Sequence, residues 1–207
     1  MKYGTMVALS LLCIRQVGAQ QTFTLKNPSF EQNAAGAGQT PMGWLNLGSS
    51  AETPPDIQPG SFEVTLKPQH GDTYLGLVVR DNNSWEGVGQ RLDGVLKKDS
   101  TYTFSVWLAR SPLYSSTSRL TQKLVNYSAP TVLKVWGVNS KTKQEELLAE
   151  SDVVSHSKWM LYSFTLKPSS ADFDEIDLMA YYGSESEKKN GNLLIDHCSD
   201  IVLIPPN

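Results

Sequence analysis

Two carboxylates in this chain stand where an apolar strand would not place them. Glu31 follows directly on the turn Asn27-Pro28-Ser29-Phe30, and Asp196 interrupts the apolar run from Asn192 to Ile204. An acid in such a place costs free energy unless it is hydrogen-bonded or meets a cation. One interruption in the first strand and one in the last predict that the two ends of the chain meet around a positive ion. Calcium suits the role, because it takes about six to eight oxygens from carboxylates, amides and main-chain carbonyls. Glu31 and Asp196 would supply the charge, and carbonyls near Asn27, Ser29 and Gly71 the remaining oxygens. The competing reading is a pair of carboxylates capped by backbone N–H groups without metal.

A second group of chemically useful residues runs from Thr53 to Gln90. Thr53-Pro54-Pro55-Asp56 is a rigid turn that presents a carboxylate, and Trp85-Glu86-Gly87-Val88-Gly89-Gln90 adds another. Binding a sugar needs flat aromatic platforms, with planar amides and carboxylates to bond its hydroxyl groups. Trp107, Trp136 and Tyr181 are the candidate platforms, and Tyr114, Tyr127 and Asn126 join them from a long loop. The predicted ligand-binding set is Asp56, Glu86, Trp107, Arg110, Tyr114, Asn126, Trp136 and Tyr181. Against it stands the plainer reading that Arg80–Asp81 and Glu86–Arg110 are solvated pairs at loop ends, worth ~0–1 kcal/mol each. That reading is favoured for Arg80.

The elements that must position these residues are strands. Short β-branched and aromatic runs recur between Gly, Pro, Asn and Ser clusters, and helical periodicity is almost absent. Strands are expected near 21–25, 61–66, 73–79, 85–92, 101–109, 131–138, 147–151, 160–166, 175–182 and 192–204. The one helical candidate, 143–149, is too short to weigh. Two long irregular stretches remain, 32–60 and 111–130. About ten short strands with turns between them favour an antiparallel sandwich over a parallel α/β sheet. Strand alternation puts Tyr102, Phe104, Val106 and Leu108 on one face, with Trp107 on the other. By the same count Trp136 shares its face with Lys134, and Tyr181 with Glu175 and Asp177.

The first 19 residues are discounted from the fold. A short basic start, the apolar stretch from Met6 to Ile14 and Val17-Gly18-Ala19 read as a cleaved export signal. Its removal takes Lys2 and Arg15 from the 18 basic residues and leaves all 21 acidic ones, moving the balance from −3 to −5. A mildly acidic chain without a basic run argues against nucleic acid or anionic lipid as partner. No apolar run reaches the ~20 residues of a membrane span. Cys198 is then the one remaining cysteine and reads as a small core residue. Residues 20–207 are expected to form a single β-sandwich domain, exported to the periplasm, cell surface or medium.

Together these residues resemble the galactose-binding-like jelly roll of several carbohydrate-binding module families. The order Asn27-Pro28-Ser29-Phe30-Glu31, Gly43-Trp44, Thr53-Pro54-Pro55-Asp56, Pro68 to Gly76, Glu86 with Gln90, and Tyr102 to Phe104 also looks like a domain of exported bacterial surface proteins. The resemblance implies a structural calcium held by the Glu of the N-terminal motif and an Asp of the final strand, here Glu31 and Asp196. The family follows that Asp with Asn, whereas this chain has His197.

Enzyme signatures are mostly missing. There is no Gly-x-Ser-x-Gly elbow, and His70, His156 and His197 lack zinc spacing. The expected function is non-catalytic binding of a polysaccharide or glycan. The rivals are a surface module that docks a protein partner, and a polysaccharide-active enzyme that uses Asp56 and Glu86.

Overall fold

A computed structural model describes residues 20–48, 54–184 and 186–205. The proposed export signal and Thr53 lie outside them. Among the described residues fourteen strands run in chain order: β1 (Thr22–Phe23), β2 (Leu45–Asn46), β3 (Asp56–Gln58), β4 (Tyr74–Val79), β5 (Gly87–Leu96), β6 (Thr101–Ala109) and β7 (Ser115–Thr117). They continue with β8 (Leu124–Asn126), β9 (Thr131–Val138), β10 (Glu145–Glu150), β11 (Met160–Leu166), β12 (Phe173–Tyr182), β13 (Gly191–Asp196) and β14 (Ile201–Ile204). The one helical element among the described residues is a 3-10 turn at Ser61–Glu63. No helix among them is long and apolar enough to cross a membrane.

Twelve of these strands form two antiparallel sheets, as expected for a jelly-roll sandwich, and β7 and β8 pair as a separate hairpin. The first has the order β1-β14-β6-β13-β4-β3, with β11 on the free side of β6; the second has the order β10-β9-β12-β5-β2. The alternation read from the sequence decides what faces inward. Tyr102, Phe104, Val106 and Leu108 of the first sheet meet Leu133, Val135, Ile176 and Leu178 of the second in one buried core. Gln90 ties the N-terminal segment to β5: its Oε1 accepts from Lys26 N at 2.6 Å, and its Nε2 donates to Lys26 O and Gly43 O.

A second, smaller core covers the outer face of the first sheet. Val64, Tyr74, Val78, Ala109, Tyr114, Tyr127 and Leu194 are buried there. The segment 61–66 and the β7-β8 hairpin lie over it and bring Phe62, Leu66 and Val125. This layer corrects several expectations. Residues 61–66 are not a strand, because Gly60, Phe62 and Glu63 sit at φ 113, 54 and 65 in the left-handed region. The stretches 32–60 and 111–130 hold β2 and β3, and β7 and β8. Residues 143–149 lie in or before β10, with no helix.

The final apolar run is two strands. His197 turns it at φ 48, and Cys198 N then donates to Pro28 O at 2.9 Å. The two ends of the described chain do pair, Thr22 with Val202 and Phe23 with Ile201.

Candidate functional site

Arg80 and Glu86 are neighbours because the chain folds back between them. Arg80 N donates to Ser84 O, Glu86 N donates to Val78 O, and Val79 bridges Trp85. The turn buries both side chains, and Arg80 Nη2 donates to Glu86 Oε1. Glu86 Oε2 accepts from Val78 N at 3.0 Å. Asp56, on β3, arrives from the other side. Its Oδ1 accepts from Gly38 N at 2.7 Å and its Oδ2 from the Tyr114 hydroxyl. Phe62 stacks on Tyr114 with ring centres 5.2 Å apart.

These residues line a cleft of about 170 Å³, together with Gly38, Pro54, Val78, Ser116 and Arg119. Burial pushes the Asp56 carboxyl up, against the Tyr114 and Gly38 hydrogen bonds and Arg80. Burial also pushes Glu86 up, to about 8, although Arg80 pulls the other way. The Tyr114 phenol is raised by burial and by both acids. All four carboxylate oxygens of Asp56 and Glu86 accept hydrogen bonds from within the protein. Among the described residues that line the cleft, the buried polar atom left without a partner is Arg80 Nη1.

Three residues of the predicted ligand set, Asp56, Glu86 and Tyr114, therefore converge, and five do not. Arg110 and Asn126 hold the loop on which Tyr114 rides. Arg110 donates to Ser128 O and Ser155 O. Asn126 accepts from Tyr114 N at 2.8 Å and donates to Pro112 O at 2.9 Å. Trp136 and Tyr181 share the outer face of the second sheet. There Trp136 lies in register with Asp177, and Tyr181 packs against Trp85 beneath Lys134. Trp107 is on the other sheet, paired with Asp196 and Leu161. Arg80 is not the solvated residue the sequence suggested: it is buried, and its ion-pair partner is Glu86. Phe62 was not anticipated either, since its stretch reads as a strand.

Glu31 and Asp196 grip one loop, 69–73, at its two ends. Asp196 Oδ2 accepts from Gln69 N and His70 N, at 2.9 and 3.0 Å. Glu31 Oε2 accepts from Asp72 N and Thr73 N, at 3.1 and 3.2 Å. The backbone caps of the competing reading are thus present, yet each acid has an oxygen left over. Glu31 Oε1, Asp196 Oδ1 and Gln69 Oε1 are buried acceptors without partners. Burial is the main cause that pushes Asp196 up to about 6, and the Glu31 charge adds to it. Among the described residues no three His, Cys, Asp or Glu side chains gather as a metal cluster. Two carboxylates and an amide oxygen are nevertheless the hard donors that calcium takes.

No protein-family model matches the chain, and no curated protein matches it in sequence. Solved structures do match in shape. A cyclase from Fischerella sp. TAU superposes with a TM-score of 0.56 at 12% identity, covering 91% of this chain and 100% of that one. The CBM22-1 xylan-binding domain of Xyn10C from Paenibacillus barcinonensis gives 0.52 at 19% identity, over 86% and 93%. The fold is a carbohydrate-binding-module-like jelly roll. An arabinose-bound MgGH51 α-L-arabinofuranosidase gives 0.54 at 17% identity, and there 92% of this chain covers only 27% of the larger one. One architecture thus serves proteins of different activities, and the likeness at these identities is one of fold.

Proposed function

We propose that this is an exported, non-catalytic carbohydrate-binding domain that takes a sugar into the cleft between Phe62, Arg80 and Tyr114. The observation that carries the reading is a buried guanidinium N–H without an acceptor, Arg80 Nη1, on a residue that lines a cleft together with aromatic rings. Sugars present hydroxyl acceptors on their rims and apolar C–H faces that pack on rings, which suits that pairing. The fold supports the reading, and so does the saturation of Asp56 and Glu86 by internal donors. Carboxylates so engaged are poorly disposed to act as a general acid and base. Export rests on the leader-like residues 1–19.

Glycan-array binding followed by calorimetry tests this. Phe62→Ala should weaken a captured glycan about tenfold and leave the melting temperature within a few degrees. If Trp136→Ala or Tyr181→Ala abolishes binding and Phe62→Ala does not, the site is the outer face of the second sheet. Absence of glycan binding would favour a protein-docking module, and turnover lost in Glu86→Gln would favour an enzyme.

A structural calcium between Glu31 and Asp196 is the second part of the proposal. The three orphaned oxygens support it, because each is a buried acceptor of the kind a cation satisfies. Its role would be to tie the 69–73 loop to both ends of the chain. Adding EDTA should lower the melting temperature of the unaltered protein, and Glu31→Ala should erase that response. An identical melting curve with and without chelator would remove the metal.

A further inference from the structure

We infer that the cleft is built for the carboxylate of an acidic sugar, with Arg80 Nη1 as the anchoring donor. This rests on the cleft being the sugar site and adds the class of sugar it takes.

Tyr114 and Gly38 already donate to the two oxygens of Asp56, and Arg80 Nη2 and Val78 N to those of Glu86. Among the residues that line the cleft, the polar group left over is a donor on a cation, and it is buried. A buried donor without a partner is a standing cost, which a ligand acceptor removes. A hydroxyl oxygen would remove it, but a carboxylate does so while also setting a full opposite charge against the guanidinium. The charges around the cleft agree. Arg80 and Arg119 both line it. Burial drives Asp56 and Glu86 toward their neutral forms, so they offset the guanidinium charge less than two exposed acids would. Size sets a further limit. About 170 Å³ is well below the ~300–1,000 Å³ of pockets for drug-sized ligands. The cleft therefore receives the end of one residue, such as the carboxylate-bearing edge of a uronic acid, while Phe62 meets its ring.

Matched monosaccharides differing only at C6 test the inference: D-galacturonate against D-galactose, and D-glucuronate against D-glucose, titrated by NMR. In at least one pair the acid should bind about tenfold more tightly than its neutral partner. Glu86→Gln keeps Arg80 and removes the competing negative charge that Glu86 takes on above about pH 8, so at pH 9 it should raise that ratio severalfold. Arg80→Gln should abolish it, and the melting curve reports whether that variant still folds. Equal affinity within both pairs, or a ratio unmoved by Glu86→Gln, overturns the inference and leaves the cleft a neutral-sugar site. Failure of all four sugars, with oligosaccharides binding through Trp136 instead, overturns the cleft itself.

Discussion

Tyr114 carries three separate constraints. Its hydroxyl donates to Asp56, its ring lies under Phe62, and its main-chain N–H is held by Asn126. Tyr114→Phe keeps the ring and leaves Asp56 Oδ2 without its donor. The change should cost about 1–3 kcal/mol in chemical denaturation, the usual penalty for an unsatisfied buried acceptor. Gly71 is constrained as sharply. It sits at φ +66, and a Cβ there would stand 1.7 Å from Glu31 Oε1. Gly71→Ala should therefore lower the melting temperature and displace the Glu31 carboxylate, so that EDTA no longer changes the melting curve. Asp56 and Glu86 could be picked out of the sequence because a turn and a glycine-rich strand isolate them. Arg80 could not. Its partner lies six residues on, across a turn, and a charged residue after an apolar run reads as the point where a strand meets water.

The five-stranded sheet carries an uncompensated acid at its centre. Asp177 pairs with Trp136 on one side and Gly89 on the other, and its Oδ1 is buried without a partner. Burial, then Glu175 and Glu145, push its carboxyl up to about 7 from 3.8. A raised carboxyl holds its proton longer in the folded chain than in the unfolded one. The resulting penalty is absent near pH 3, grows between about 4 and 7, and is complete above 7. Asp177→Asn should stabilise the protein by about 2 kcal/mol at pH 8, and the gain should vanish near pH 4. Denaturant midpoints across that range check it, and a pH-independent gain would contradict it. Strands were most readable where alternation is unbroken: β9 beside Asp177, and β6 and β11 of the other sheet, have bounds that match expectation residue for residue. The failures fall where alternation stops helping. Backbone at positive φ ends the pattern at Phe62 and at His197, and β2, β3, β7 and β8 are two or three residues long.

Across the whole molecule, the two ends hold the first sheet together. Phe23 on β1 is buried, meets Tyr102 edge-on at 5.9 Å, and fills the space beside Gly94. Phe23→Ala should cost about 3–5 kcal/mol, as for other buried aromatics cut to alanine, and the midpoint of urea unfolding measures it. The ends were expected to pair because one acid was read into the first strand and one into the last. β1 does lie on β14, and Cys198 N reaches Pro28 O, but Glu31 stands outside the strands and Asp196 is on β13. The small outer core was not foreseen. Its residues, Tyr114 and Tyr127 among them, come from stretches with no strand pattern, and burial there depends on a hairpin seen only in three dimensions.

Gln20 also touches Leu203, donating to its carbonyl at 2.8 Å. Residues 20 and 204 thus emerge side by side, and a short glycine-serine bridge could join them without strain. Reopening the ring at the exposed turn Lys141–Lys143 would give a permuted protein. It should keep the native circular-dichroism spectrum and the response to galacturonate, because neither the cleft nor the 69–73 loop is cut. The ends would then be free to be moved for fusion, labelling or display.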